Sequence, residues 1–477
     1  MARLAFATLL ALSFTFTLGA APAQARERLI VLTDIEADPD DTQSLVRLLL
    51  YANEIDLEGL VATTSIHMRN EIHPESIRAV IDEYAKVRAN LLLHAPGYPT
   101  ADALRARIRE GQPSYGMDAV GAGKDTAGSK LIVSALESAD PRPLWVAAWG
   151  GPNTLAQALS TIRATRGAAE ASRLIAKLRV YTISDQDDSG AWMRREFPEL
   201  FYIVSPGGYG AATWTGIHTV IAGADNGTIA NAWLAEHIQQ SHGPLGAAYP
   251  DVAYGMEGDT PSFLALIPNG LNQPERPDWG GWGGRYTHYT PQLQSLDPDG
   301  FTGGVPVLPE TRSIWTNAID AYTPDVAGEF GRSARAGTAT FTGYRETLWR
   351  WRDEIQNDFA ARMDWTIKPA RAANHPPVPA LRHPDQVSLR SGETFLLDAG
   401  GSTDPDGDSL SFRWFHYPEA GSLRAAVKMD GADNLPRRLI TAPQVSKPET
   451  AHFILKVTDK GSPALTRYRR VIVTIAP

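Results

Sequence analysis

The chain has 477 residues, 43% of them hydrophobic and 21% charged. That excludes global disorder and exceeds one ordinary domain. A formal net charge of -9 excludes wholesale nucleic-acid binding, which needs a basic footprint. The absence of cysteine excludes disulfides, thiolate metal sites and cysteine nucleophiles.

Arg3, the apolar run Leu4 to Leu18 and the small-residue site Ala23-Gln24-Ala25 read as a signal peptide cleaved after Ala25. The mature chain is therefore expected in the periplasm or secreted. No later segment reaches the ~18 apolar residues of a membrane-spanning helix, so no membrane partner is expected.

Leu29–Leu32 reads as a buried strand, followed by an acidic loop and a helix at Ser44–Leu50. Strands are predicted at Leu57–Thr64, Ala89–His94, Leu144–Ala148 and Lys177–Ile183. Helices are predicted at Ile77–Val87, Leu131–Leu136 and Thr154–Leu159. This alternation implies an α/β fold with a mostly parallel sheet, whose ligands bind at the carboxyl ends of the strands. The Gly-, Pro- and Trp-rich stretch Asn272 to Thr302 reads as irregular loop, and a helix near Tyr344 to Met363 closes the domain. Pro376, Pro377 and Pro379 form a stiff linker. Beyond it, strands at Gln386–Leu389, Thr394–Asp398, Leu410–Phe415, His452–Thr458 and Tyr468–Ile475 predict an all-β, immunoglobulin-like sandwich. The expected organisation is a signal peptide at 1–25, an α/β domain at 26–370 and the sandwich at 375–477.

The chemistry concentrates in Asp34-Ile35-Glu36-Ala37-Asp38-Pro39-Asp40-Asp41, five carboxylates directly after a strand. Neighbouring carboxylates raise each other's pKa. They are kept either as a solvated acidic turn opening a helix or around a hard cation such as calcium, and the residues leave both open. Two further segments stand out: Ala148-Trp149-Gly150-Gly151-Pro152-Asn153, and Gly258-Asp259-Thr260-Pro261 at a helix start. Each alone reads as a turn or cap.

Together, and in this order, the three segments resemble the nucleoside hydrolase superfamily of the inosine–uridine type, whose first strand ends in D-x-D-x-x-x-D-D. Asp34, Glu36, Asp40 and Asp41 take that spacing. The resemblance implies Ca2+ held by Glu36, Asp41, the Trp149 carbonyl and Asp259. It implies Glu36 as general base and Asp40 on sugar hydroxyls. Glu196 is the one carry-over from the ribose-gripping motif, and Asp188 and Trp192 on the preceding polar stretch are further expected substrate contacts. The family often places His immediately before the last Asp; here it is Gly258.

The whole chain resembles a secreted branch that joins such a domain to a C-terminal β-sandwich and is described as cellulose-binding. In Trp279-Gly280-Gly281-Trp282-Gly283-Gly284, Trp279 and Trp282 either stack on sugar rings or plug the loop onto the core. The resemblance thus implies a calcium-dependent hydrolase of N- or O-glycosyl bonds, or a non-catalytic cellulose-binding protein. Its partner would be a carbohydrate or nucleoside-like molecule, or a polysaccharide. Asp404-Pro405-Asp406-Gly407-Asp408 begins like a calcium loop but lacks the distal Glu of an EF-hand, and reads as a plain turn.

Overall fold

The computed structural model describes residues 26–205, 209, 212–292, 305, 308–326, 335–336, 339–432 and 434–477. The expected signal segment and the end of the Trp-rich loop lie outside them.

Eight strands form the large sheet: β1 (Glu27–Thr33), β2 (Ile55–Ala62), β3 (Ile108–Glu110), β4 (Leu144–Ala148), β5 (Leu178–Thr182), β6 (Phe201–Val204), β7 (Tyr286–Tyr289) and β8 (Ile314–Asn317). Their order is β3-β2-β1-β4-β5-β6-β8-β7, and every pairing is parallel except β7 with β8. The fold is α/β, as the alternation predicts. The order reverses between β2 and β4, both of which flank β1. Such a switch point opens a crevice beyond the carboxyl ends of the strands. The register aligns those ends, pairing Leu32 with Ala148 and Ala148 with Thr182.

Both faces of the sheet are covered, which is why β1 and β4 read as continuous apolar runs. On β1, Leu29 and Val31 pack into one core and Ile30 and Leu32 into the other. Two expectations are corrected. Ala89–His94 is not a strand but the last turns of helix α2 (Pro74–His94). Tyr84, Val87 and Leu91 keep the helical stripe buried, while Leu92 and Leu93 face out. The third strand is instead the short edge strand β3. The Trp-rich stretch is also not wholly irregular, since Tyr286–Tyr289 pairs with Ile314–Asn317.

The C-terminal part is a two-sheet β-sandwich. Gln386–Arg390, Thr466–Ala476, Glu449–Thr458 and Ser411–His416 form one sheet. Thr394–Asp398, Arg437–Thr441 and Lys428–Asp430 form the other. Its core gathers Leu397, Trp414, Phe453, Leu455, Val471 and Val473.

This sandwich is docked on the α/β part through a buried interface. Tyr417, Ile454 and Tyr468 belong to the same apolar core as β1. Trp282 is 0% exposed and its indole N–H donates to the Tyr468 hydroxyl at 3.3 Å. Arg470 donates to the carbonyls of Leu271 and Gly280. Asp320 accepts from Arg285, Arg350 and the Tyr417 hydroxyl. Gly270 has φ +86° and a Cβ there would lie 2.0 Å from the Tyr468 carbonyl oxygen, so backbone meets backbone at this contact.

The structure therefore corrects the sugar-stacking reading of Trp282, whose ring is sealed between the two parts. Trp279 lies beside it, edge-on to His452 at 4.9 Å and under Arg276. Trp282→Ala is expected to lower the unfolding free energy by about 3–5 kcal/mol in a denaturant titration. A change within error would place the ring outside the core.

Candidate active site

A cavity of about 360 Å³ opens at the switch point. Its floor carries Asp34 after β1, Trp149 after β4, and Ile183, Ser184 and Gln186 after β5. Asp40 and Asp41 enter from the first turn of helix α1 (Asp40–Leu50), and Asp259 from the turn before the helix Pro261–Leu264. Trp214, His218, Tyr254 and Arg345 also line it, as do His67 and Tyr209. His67 Nε2 and the Tyr209 hydroxyl lie 3.2 Å apart.

Carboxylate oxygens of Asp40, Asp41 and Asp259 lie within 4.8 Å of one another. Among the described residues no Lys, Arg or His forms an ion pair with Asp34, Asp38, Asp40, Asp41 or Asp259. Asp41 accepts from the Thr33 hydroxyl, and Asp40 from the Gly258 N–H at 3.2 Å. Asp259 Oδ2 is buried with no hydrogen-bond partner among the described residues. Burial first, and then the neighbouring carboxylates, push Asp40, Asp41 and Asp259 well above the usual carboxylate range. Burial also raises Asp34, partly offset by a Ser65 hydrogen bond.

Two buried acidic groups and a half-buried one, with one orphaned oxygen among them, make a donor set that fits a hard cation. Asp40, Asp41 and Asp259 could hold it. The Trp149 carbonyl lies at the same cavity but accepts from the Gln186 side-chain amide.

Asp259 is placed by its neighbours rather than by a cap. The preceding Glu257 is fully buried with φ 51° and pairs with Arg47, itself 0% exposed. Tyr249 and Thr260 hydroxyls also donate to Glu257. This anchor ties the turn at Asp259 to α1. Gly258 sits where a Cβ would lie 2.6 Å from Asp40 Oδ2 and 3.1 Å from the Trp214 ring. Any side chain at 258, histidine included, would have to displace the Asp40 carboxylate.

Glu36 is not brought to this site. It is exposed and does not line the cavity. The Ala37 N–H closes a turn onto the Asp34 carbonyl, and Glu36 holds the third position with φ 87°. That turn leaves Asp34 and Asp38, on either side, facing the cavity. The expected substrate contacts Asp188, Trp192 and Glu196 do not line it either. Asp188 accepts from the Met117 N–H, Trp192 packs on Phe197 under Arg163, and Glu196 pairs with Arg163 and Arg195. All three belong to the cap or the outer face of the helix Ser189–Glu196. Trp214, His218, Tyr254 and Arg345 carry no sequence signal, because they lie in loops and short turns far apart with no shared spacing; Asp38 stands within the acidic run but at an unspecified position of D-x-D-x-x-x-D-D. His218 is pushed down to about 4, chiefly by burial, so it is neutral near pH 7.

Neutralising one of these carboxylates should relieve repulsion when no cation is present. In chelator, Asp259→Asn is expected to raise the melting temperature, since an amide can donate to the neighbouring carboxylates. The gain is about 1.4 kcal/mol for each pKa unit of strain removed. A lower melting temperature in chelator would show that the cluster is not strained.

Residues 28–286 match the family described as "Cellulose-binding Sde182, nucleoside hydrolase-like domain", and residues 394–475 match "Cellulose-binding protein Sde0182, C-terminal domain". No curated protein matches the chain. Among solved structures, a nucleoside hydrolase-related protein from Saccharophagus degradans, described as associated with carbohydrate metabolism, is 37% identical. The match covers 94% of this chain and 100% of that one, with a TM-score of 0.78. The effector proteins XOO4466 and XopQ, the latter complexed with adenosine diphosphate ribose, are 15% and 16% identical. Both cover 61% of this chain, with 89% and 90% of their own, at TM-scores of 0.29 and 0.27 that support no inference. On the family matches and the S. degradans structure, the chain belongs to the Sde182 cellulose-binding family, whose large domain is nucleoside hydrolase-like.

Proposed function

We propose that the chain is an exported, calcium-dependent hydrolase of a glycosyl bond, acting on a saccharide or nucleoside-like ligand of one or two rings. The observation that carries this reading is the group Asp40, Asp41 and Asp259, gathered at a ring-sized cavity with no ion-pair partner among the described residues. A bound calcium would supply positive charge against the developing negative charge and would acidify a coordinated water.

The chain's own residues do the rest. Asp40, Asp41 and Asp259 offer oxygen ligands. Trp214 and Tyr254 offer aromatic faces to a sugar ring. Asp38 takes the role of general base in place of Glu36. It reaches the cavity and is only half-buried, whereas Asp34 is buried against the Gly150 backbone. From this position Asp38 accepts the proton of the attacking water as the glycosyl carbon gains oxocarbenium character.

A second reading has its own support. Gly258 carries no acid for the leaving group and His218 is neutral, which favours carbohydrate binding without turnover. Turnover of nucleosides and oligosaccharides, with and without chelator, separates the two. For the hydrolase, Asp38→Asn is expected to cut turnover by about 10²–10⁴ while Glu36→Gln leaves it unchanged. Intact turnover in Asp38→Asn removes Asp38 from the chemistry. Calcium-dependent sugar binding with no turnover on any substrate establishes the binding reading instead.

Calcium is also expected to raise the melting temperature by mass action, by about 2.7 kcal/mol of stability at a hundredfold excess over Kd. An unmoved melting curve would contradict a cation at this site.

A further inference from the structure

Where the linker meets the sandwich, three buried oxygens from three segments have no hydrogen-bond partner among the described residues: Asn374 Oδ1, Asp404 Oδ2 and Asp459 Oδ2. Asn374 is 6% exposed and Asp459 is 0% exposed.

The surrounding hydrogen bonds show why these atoms are left over. Asp404 Oδ1 accepts from the N–H groups of Asp406 and Asp408, at 2.9 and 3.0 Å. Asp459 Oδ1 accepts from the N–H groups of Gly461 and Leu465 and from the Asn374 side-chain amide. The Asn374 amide also donates to the Pro463 carbonyl. Every donor is thus spent on the other oxygen of each carboxylate or on a carbonyl. The segments are held together: Val378 pairs with Thr403 in the backbone, and a Cβ on Gly461 would lie about 2.2 Å from Asn374. Asp404 adds to the upward push that burial gives Asp459, which places the two carboxylates within electrostatic reach.

Two carboxylate oxygens and one amide oxygen, all acceptors, meet no donor among the described residues, on segments that the contacts above hold together. A single water offers two protons and cannot satisfy three such atoms; a cation can. His375 does not compete, because its ring is engaged by Asp406 and by His94.

We propose that Asp404, Asp459 and Asn374 form a second cation site, for a hard divalent ion of the calcium class, at the joint between the α/β part and the sandwich. Oxygen-only donors select such an ion over zinc or copper. The site reinterprets the Asp404–Asp408 run: it is a turn, and its first carboxylate is also a ligand. The ion would tie the linker to the sandwich. On the linker side, Asn374 gives its carbonyl to the Trp365 indole, and His375 stacks on Trp365 at 5.2 Å.

The test is a calcium titration of the chelator-treated full chain carrying Asp41→Asn and Asp259→Asn, which disables the cavity. One ion per chain is expected. Adding Asp404→Asn, which keeps the turn's acceptor but loses the charge, should weaken that binding about tenfold or more. Terbium in place of calcium should luminesce on tryptophan excitation in the doubly substituted chain and lose the signal on addition of Asp404→Asn, because Trp365 is close. Should the double substitution fail to fold, the wild-type stoichiometry decides: two ions per chain, falling to one in Asp404→Asn. No ion in the disabled chain, or a stoichiometry and affinity unmoved by Asp404→Asn in either background, would overturn the proposal; one wild-type ion that persists in the disabled chain and is lost in Asp404→Asn supports it and leaves only the cavity without calcium.

Discussion

The site is governed by electrostatic repulsion among carboxylates that no basic side chain pairs among the described residues. Asp40, Asp41 and Asp259 are crowded at the carboxyl edge of a buried sheet, and among the described residues none of them pairs with an arginine or lysine. The molecule does neutralise buried acids elsewhere. Glu257 meets Arg47, Asp358 meets Arg362 and Arg467, and Asp320 meets Arg285 and Arg350. Unpaired acids beside the cavity thus contrast with paired acids around it. Charges buried without compensation cost several kcal/mol unless a counter-ion is supplied from outside.

The rest of the fold holds that arrangement in place. The strand order brings the ends of β1, β4 and β5 together, and the Arg47–Glu257 pair locks the Asp259 turn to the helix that carries Asp40 and Asp41. On the far side of the same core, the sandwich presses Tyr417 and Tyr468 against the Trp282 loop. The terminal module therefore shares the core of the large domain. The tryptophan-rich loop serves that packing, which accounts for its glycines: Gly280 and Gly281 pass within van der Waals reach of Tyr417 and Asn272.

Local patterning carried most of the fold. Apolar runs bounded by Gly, Pro and acidic turns marked β1, β2, β4 and β5, and period-two alternation marked five of the seven sandwich strands. Lys428–Asp430 and Arg437–Thr441 escaped because they are short, charged and half-exposed. Ala89–His94 misled because three consecutive leucines imitate a strand when the helical stripe is read one residue at a time. At the site, the resemblance implies ligand roles for Asp41 and Asp259, a sugar contact for Asp40 and the base at Glu36; the structure gathers the three aspartates, while the direction of Glu36 depends on a left-handed turn that only φ reveals. The lining residues Trp214, His218 and Arg345 come from turns whose proximity is set by tertiary packing alone.

Crystals grown with calcium and measured for anomalous scattering give the most direct test of the central claim. The account predicts a peak between Asp40, Asp41 and Asp259, with carboxylate oxygens at about 2.3–2.6 Å. A cavity without such a peak at saturating calcium, its carboxylates bridged by water or protons, would contradict it.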